Sequence, residues 1–403
     1  MKIAFYIEGN PKNPGGYNQI INTTKFLGYF LNTDKENYVF IVNDNNLLKK
    51  LKEFEIDAIL YKKTLFNKLV DYLFGLNFLY QLLVTLNLKH SFLKFLKKQN
   101  IELINFLSPS NLALFCEDIN FVINIWDLDH RKNSIFPEHK ENYTYEKREK
   151  FLNNIIFKAF KIIVAHKENK KDLINLYNCD EKKIKVQNFI PYLPNLQKEE
   201  LIFKDKFEEE LFESLPKDKK IIIYPATFWP HKNHKYIIDT VSLLKKNNIN
   251  NFYFVLCGSD RGTYSYIKKL ISSYKLDNHI KIFSLVSDFF LKRLYEECFA
   301  VVMPTDTGPT NLPLYEAMYF KKPIFYSKNI LNDNDLDNII IPIDTNHPDS
   351  LFASLNSVSE AEIKKKTDLG QEYYKKFCSK DELYQTYKNI INEYKKKVSQ
   401  WKG

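Results

Sequence analysis

Cysteine is scarce in this chain and poorly spaced for chemistry. Five are present among 403 residues (Cys116, Cys179, Cys257, Cys298 and Cys378), and no two form a CxxC pair. Their odd number and their spacing carry no metal signature, so no metal site is expected, and a reducing cytoplasm is the simplest compartment. Cys257 and Cys298 lie in or beside apolar runs, as buried free thiols do. There is no GxGxxG, so the dinucleotide fingerprint is missing. No lysine block resembles a nucleic-acid arm, although the formal net charge is +10. That charge fits an anionic partner such as nucleotide phosphates, or a solvated basic surface. Short-period repeats and low-complexity tracts are absent. Residues 1–16 do not read as a signal peptide, because a short apolar run leads straight into a Pro/Gly loop. One long apolar stretch, residues 69–88, carries a single charge at Asp71 but is interrupted by Gly75, Asn77, Gln81 and Asn87. A buried helix is expected there rather than a membrane span, with a helix dipping into the membrane interface as the intermediate reading.

What is present is ample core-forming material. Hydrophobic residues make up 44% and charged residues 27%, with 32 Phe and 26 Tyr, so a globular chain is expected. The length calls for two domains. Short apolar runs at 3–7, 38–42, 58–60, 103–107, 121–126, 162–165 and 184–186 alternate with amphipathic stretches such as 146–160. The theme repeats at 221–224, 252–257, 281–285, 300–303, 323–326 and 339–343. Continuous apolar strands separated by helices predict parallel sheets covered on both faces. The expected fold is therefore α/β, with two Rossmann-like doubly wound domains facing a cleft. Residues 1–193 form the first, 194–380 the second, and 381–403 a polar amphipathic helix returning toward the first. The connection between the halves is placed at 189–220, where Pro191, Pro194 and Pro216 fall.

In open α/β sheets ligands bind beyond the carboxyl ends of the strands, so the loops after the strands hold the candidate chemistry. The first such loop runs Gly9-Asn10-Pro11-Lys12-Asn13-Pro14-Gly15-Gly16-Tyr17. Its paired glycines let backbone approach a ligand before a helix, with a plain tight turn as the competing reading. The second, Tyr224 to His234, is aromatic and Pro-rich and presents Lys232, which can neutralise a diphosphate. His231 and His234, three apart, read as packing or capping residues and not as metal ligands. The third, Pro304 to Met318, opens into a polar loop with a helix starting near Thr310 or Asn311. Its free amides and dipole suit a phosphate. Glu316 in that helix can accept hydrogen bonds from a ribose, or serve only as a dipole partner. The fourth is Trp126-Asp127-Leu128-Asp129-His130-Arg131, followed by Phe136-Pro137-Glu138. Acid, imidazole and guanidinium so close together can form an acceptor or donor site, or a surface ion-pair loop.

The second and third loops together resemble family 4 of the retaining GT-B glycosyltransferases. The likeness is greatest to a bacterial branch with YPA-x-FWPHKNH and GPTNLP-x-x-EA loops, and the fourth loop is similar to that branch's acceptor-domain motif. The resemblance implies a nucleoside-diphosphate-sugar as donor, with no further cofactor and an unread base. It places Lys232 on the donor diphosphate and Glu316, the second acid of an E-x7-E motif, on the ribose. Amides around Thr310, Asn311 and Leu312 meet the phosphates, and the loop 284–287, with Leu285 and Val286, lies near the nucleobase. Gly15 and Gly16 line the cleft from the other side. Thr227 stands where the family commonly has arginine. Gly308 stands where it has the first acid, with Asp306 two residues earlier as the candidate substitute. Asp127 and His130 join Lys232 and Glu316 as candidate catalytic residues. Trp126, standing where a histidine is usual, joins Asp129 and Arg131 as candidate acceptor contacts.

The implied function is sugar transfer, with retention, to a glycan or glycolipid in bacterial surface polysaccharide synthesis, capsule or lipopolysaccharide. It would take place in the cytoplasm, with peripheral contact at the inner membrane and no nucleic-acid partner. An epimerase of the same fold, or a non-catalytic nucleotide-sugar-binding protein, are the alternatives.

Overall fold

Strand β1 (Lys2–Ile7) reads KIAFYI, and its last five side chains are all buried. Such a strand has no polar face to give to water, so it sits inside a parallel sheet with helices on both sides. The computed structural model describes residues 1–9, 14–31, 37–62, 89–193, 196, 201–308, 311–330 and 334–401. Around β1 lie β2 (Asn37–Val42), β3 (Ala58–Leu60), β4 (Leu103–Phe106), β5 (Asn120–Ile125), β6 (Lys161–Val164) and β7 (Ile184–Val186). They form a seven-stranded sheet of order β3-β2-β1-β4-β5-β6-β7. A second sheet joins β8 (Lys220–Pro225), β9 (Phe252–Cys257), β10 (Ile280–Phe283), β11 (Ala300–Met303), β12 (Ile324–Ser327) and β13 (Ile341–Ile343). Its order is β10-β9-β8-β11-β12-β13. All pairings in both sheets are parallel. This is the doubly wound α/β architecture that the alternating runs imply. The apolar segment 69–88 lies outside the described residues. Among those described, no helix is long and apolar enough to cross a membrane.

The contacts divide the chain into two units that are not simple halves. Unit 1 holds Met1–Trp126, Glu146–Asn188 and Lys380–Gly403; unit 2 holds Asp127–Tyr145 and Phe189–Ser379. In unit 1 the last helix, Lys380–Val398, buries Leu383, Tyr387, Ile390, Ile391 and Tyr394. Tyr387 sets its ring edge on Phe5 of β1, centroids 5.7 Å apart. Asn124 Nδ2 donates to Tyr387 Oη at 3.1 Å, and Tyr394 Oη donates to the Glu102 carbonyl at 2.9 Å. Buried Lys161 of β6 pairs with Glu393 of the same helix at 2.7 Å. In unit 2 the helix His234–Lys246 buries Tyr236, Ile237, Thr240, Val241 and Leu244, the stripe its sequence spacing predicts.

Each sheet reverses its strand order once, between β1 and β4 and between β8 and β11. Loops that leave adjacent strands in opposite directions open a crevice at the carboxyl ends. In unit 2 that places the loop after β8 beside the loop after β11.

Candidate functional site

The loop after β8 ends in a single 3-10 turn, Pro230–Lys232, followed by Asn233 in the left-handed region at φ 50°. Asparagine tolerates that conformation better than most residues. The turn is held from several directions. Tyr224 Oη donates to the Lys232 carbonyl at 2.9 Å, and the Asp306 amide donates to the His231 carbonyl at 2.8 Å. Thr305 Oγ1 donates to the same carbonyl at 3.3 Å. The two loops at the reversal point are thus bound to each other through backbone. His234 faces inward, its ring stacked on Phe228 with centroids 4.3 Å apart, in the packing role expected of it.

Lys232 is half-buried, and its Nζ donates to Asn311 Oδ1 at 2.6 Å. Asn311 precedes the helix Leu312–Tyr319 but does not cap it with its side chain. Its Nδ2 instead donates to Tyr326 Oη at 2.8 Å and to the Gly308 carbonyl. The first turn of that helix therefore lacks a side-chain cap, although Pro313 removes one of its N–H donors. Burial pulls the Lys232 ammonium down to about 8, against the upward pull of Asp129, Asp127 and Glu138. It stays largely protonated near neutral pH.

Glu316 is 7% exposed and accepts a hydrogen bond from Tyr295 Oη at 2.8 Å. Burial raises its carboxyl to about 7, with the Tyr295 hydroxyl acting the other way. Asp306 accepts from Thr345 Oγ1 at 3.0 Å, and burial raises its pKa. Thr310 lies outside the described residues.

The segment carrying Asp127 to Glu138 packs within unit 2. The Asp129 amide donates to Asp127 Oδ1 at 3.1 Å, starting the short helix Asp129–Lys132. Asp129 is buried. His130 is fully buried, with Tyr145 set edge-on at 5.4 Å, whereas Arg131 is exposed. Glu138 reaches the turn after β8, accepting from the His231 amide at 3.3 Å and pairing with His231 Nδ1. Burial lowers His231 to about 4, more than Glu138 raises it, so the ring is neutral and donates to the carboxylate. Burial acts to raise the Glu138 pKa, but the hydrogen bonds from His231 outweigh it and leave it lowered. Lys232, Asn311, Gly308, Asp129 and the Glu138–His231 pair thus share one neighbourhood.

Other candidates stand apart from it. Thr227 is half-buried, and its carbonyl accepts from the Trp229 amide at 2.8 Å. β10 ends at Phe283, so Leu285 and Val286 fall in the following loop, and Leu285 is 62% exposed. In unit 1, no described residue comes within 4 Å of a Cβ built on Gly15. A Cβ on Gly16 would come within 2.8 Å of the Trp126 ring, so Gly16 makes room for that indole. All five cysteines are buried, and among the described residues no His/Cys/Asp/Glu group is arranged for a metal.

Several supporting residues escape sequence reasoning. Glu208 accepts from the Ser287 amide at 2.7 Å and from its hydroxyl at 2.6 Å, fixing the loop after β10. Arg261 lies over the Trp229 ring at 5.6 Å. Gly258 lies so close to Ala226 that a Cβ would fall 2.1 Å from its carbonyl oxygen. None belongs to a recognisable motif.

Comparison with known proteins fits this geometry. Residues 205–376 match the family model for glycosyl transferases group 1. No curated protein matches the sequence. Among solved structures, a glycosyltransferase from Rickettsia africae is 18% identical, with TM-score 0.69 over 97% of this chain and 98% of that one. HepE from Anabaena, in complex with UDP and glucose, is 16% identical, with TM-score 0.67 over 98% of this chain and 100% of that one. TarM from S. aureus, a single-residue variant in complex with fondaparinux, α-GlcNAc-glycerol and UDP, is 13% identical, with TM-score 0.65 over 97% and 99%. At such identities the shared property is the fold. The chain has the two-sheet α/β architecture of GT-B glycosyltransferases, and its residues 205–376 are similar to the glycosyl transferases group 1 family.

Proposed function

We propose that this chain transfers a sugar from a nucleoside-diphosphate-sugar to a glycan or glycolipid acceptor, retaining the anomeric configuration, in the synthesis of a bacterial surface polysaccharide. The observation that carries the reading is the meeting of Lys232 Nζ with Asn311 Oδ1 at 2.6 Å, at the strand-order reversal of unit 2. A lysine held against the start of an uncapped helix offers positive charge and free amides to one anion. A diphosphate fits that offer. UDP in the solved HepE and TarM complexes makes UDP-sugars the first donors to examine.

In this reading the bond between the anomeric carbon and the diphosphate oxygen breaks, and the acceptor hydroxyl oxygen bonds to that carbon on the same face. The hydroxyl proton passes to the departing diphosphate. Lys232 and the amides near Leu312 stabilise the charge that grows on the leaving oxygen. Glu316 binds the ribose, Leu285 and Val286 border the base, Asp127 and His130 take part in catalysis, and Arg131 serves the acceptor. The work takes place on the cytoplasmic side of the membrane.

The test is a panel of UDP-, GDP- and ADP-sugars, read by thermal stabilisation and then by transfer to acceptor glycans, with the product anomer assigned by NMR. One nucleotide class should raise the melting temperature of the wild type. Lys232→Ala should lose that shift and weaken binding about 10- to 100-fold, as expected for a charged hydrogen bond to phosphate. Equal binding by wild type and variant would remove the lysine from the site, and an inverted product anomer would refute retention.

A further inference from the structure

We infer that Asp129 is a donor-sugar residue, its carboxylate accepting hydrogen bonds from hydroxyls of the sugar whose diphosphate Lys232 holds. The inference rests on the donor reading above and assigns the part of the site that recognises the sugar. Gly308 adopts φ +87°, in the left-handed region, and carries no side chain. A Cβ built there would lie 3.5 Å from Asp129 Oδ2 and 3.7 Å from the side-chain nitrogen of Asn311. The carboxylate of a residue far away in sequence therefore lies in contact range of the position that a side chain at 308 would take. The sequence resemblance expects an acid at that position, and here the acid arrives on another segment. Asp306, the candidate substitute, is engaged by Thr345.

The segment that carries Asp129 is anchored. Asp129 is 8% exposed, and its carbonyl accepts from the Asn133 amide at 2.7 Å. Glu138, farther along, holds the His231 amide at 3.3 Å. Asn311 flanks the same Gly308 position as the Asp129 carboxylate and is bonded to Lys232 Nζ at 2.6 Å. Among the acids that act on Lys232, Asp129 has the largest effect.

Physical chemistry then separates their tasks. A buried carboxylate repels phosphate oxygens and cannot be part of the diphosphate cradle. It accepts hydrogen bonds only, and the part of the donor next to the diphosphate that offers donors is the sugar polyol. Hydrogen bonds from neutral hydroxyls to a charged acceptor are among the stronger ones available.

The test compares UDP, GDP and ADP with their glucose conjugates by titration calorimetry at pH 7, using full-length wild type and Asp129→Asn. The conjugate that the wild type binds best is then examined as a series of deoxy-glucose analogues. Asp129→Asn should leave affinity for the nucleoside diphosphate within about twofold and lower affinity for the conjugate about tenfold. One deoxy analogue should weaken binding to wild type but not weaken it further in the variant. Nucleoside diphosphate binding also reports that the variant is folded. If the variant does not fold, Asp129→Glu supplies the same test, because its longer side chain displaces the carboxylate and should reproduce the selective loss. Equal losses for diphosphate and conjugate would show that Asp129 acts on Lys232 or on the segment alone, and would overturn the inference, as would no loss for either. A wild type that binds none of the nucleotides would overturn the donor reading itself, a result visible before any variant is made.

Discussion

At the residue scale, half-buried Lys232 and buried Glu316 govern how this site responds to pH. Lys232 is drawn down to about 8 by burial. Nucleoside diphosphate affinity should therefore be level up to about pH 7.5 and fall as pH rises through 8, because the neutral amine no longer attracts phosphate. Titration calorimetry across pH 6.5–9.5 checks this, with Lys232→Arg keeping a flat profile because guanidinium stays charged. Glu316 behaves in the opposite sense. Its carboxyl is raised to about 7, so its neutral form is favoured in the folded state. The stability that this protonation contributes is present below about pH 4.5 and is lost as pH rises through 7. Glu316→Gln keeps an acceptor for Tyr295 and carries no charge to bury. The variant should be more stable than wild type at pH 8, by up to about 3 kcal/mol, and the difference should vanish near pH 4.5. Melting curves at the two pH values decide the matter. A difference independent of pH would mean that the carboxyl does not titrate where its burial implies.

Elements position the site through contacts that carry no motif. The loop after β10 is tied by Glu208, whose two oxygens hold the Ser287 amide and hydroxyl at 2.7 and 2.6 Å. Glu208→Ala removes both acceptors and leaves a half-buried amide without its carboxylate, at a cost of about 1 kcal/mol. Its amides at 284–287 should exchange faster with solvent, and discrimination among nucleobases should relax while diphosphate binding holds. Strand ends are equally constrained. A Cβ at Gly258 would stand 2.1 Å from the Ala226 carbonyl oxygen, a contact that backbone must move to relieve. Gly258→Ala should destabilise unit 2 by about 2 kcal/mol or more, as a denaturant midpoint shift, because overpacking against backbone cannot be relieved by a rotamer change.

For the whole molecule, the order of residues along the chain is not the order of the units. Unit 1 is assembled from three stretches, the last of them Lys380–Gly403. The helix Lys380–Val398 supplies buried Leu383, Tyr387, Ile390, Ile391 and Tyr394 to that unit. Tyr387→Ala should cost about 3–5 kcal/mol, as large aromatic truncations in cores do. Hydrogen exchange should show loss of protection in β1, β4 and β5, with the strands of unit 2 unaffected. Protection lost first in β8 or β11 would contradict the assignment of this helix to unit 1.

The sequence by itself determined the alternation of apolar runs and amphipathic stretches, and hence two parallel sheets with chemistry in the loops after their strands. It also marked Lys232 and Asn311, because both sit in loops with distinctive local composition at the ends of buried strands. Tertiary contacts settled that the segment Asp127–Tyr145 belongs with unit 2, that Glu138 pairs with His231 across 93 positions, and that Asp129 lies beside Gly308. The physical reason is range. Burial of a strand or helix face repeats at a fixed period and so writes itself into local sequence. A hydrogen bond between distant residues, or a space left by a missing Cβ, has no period and leaves no local trace.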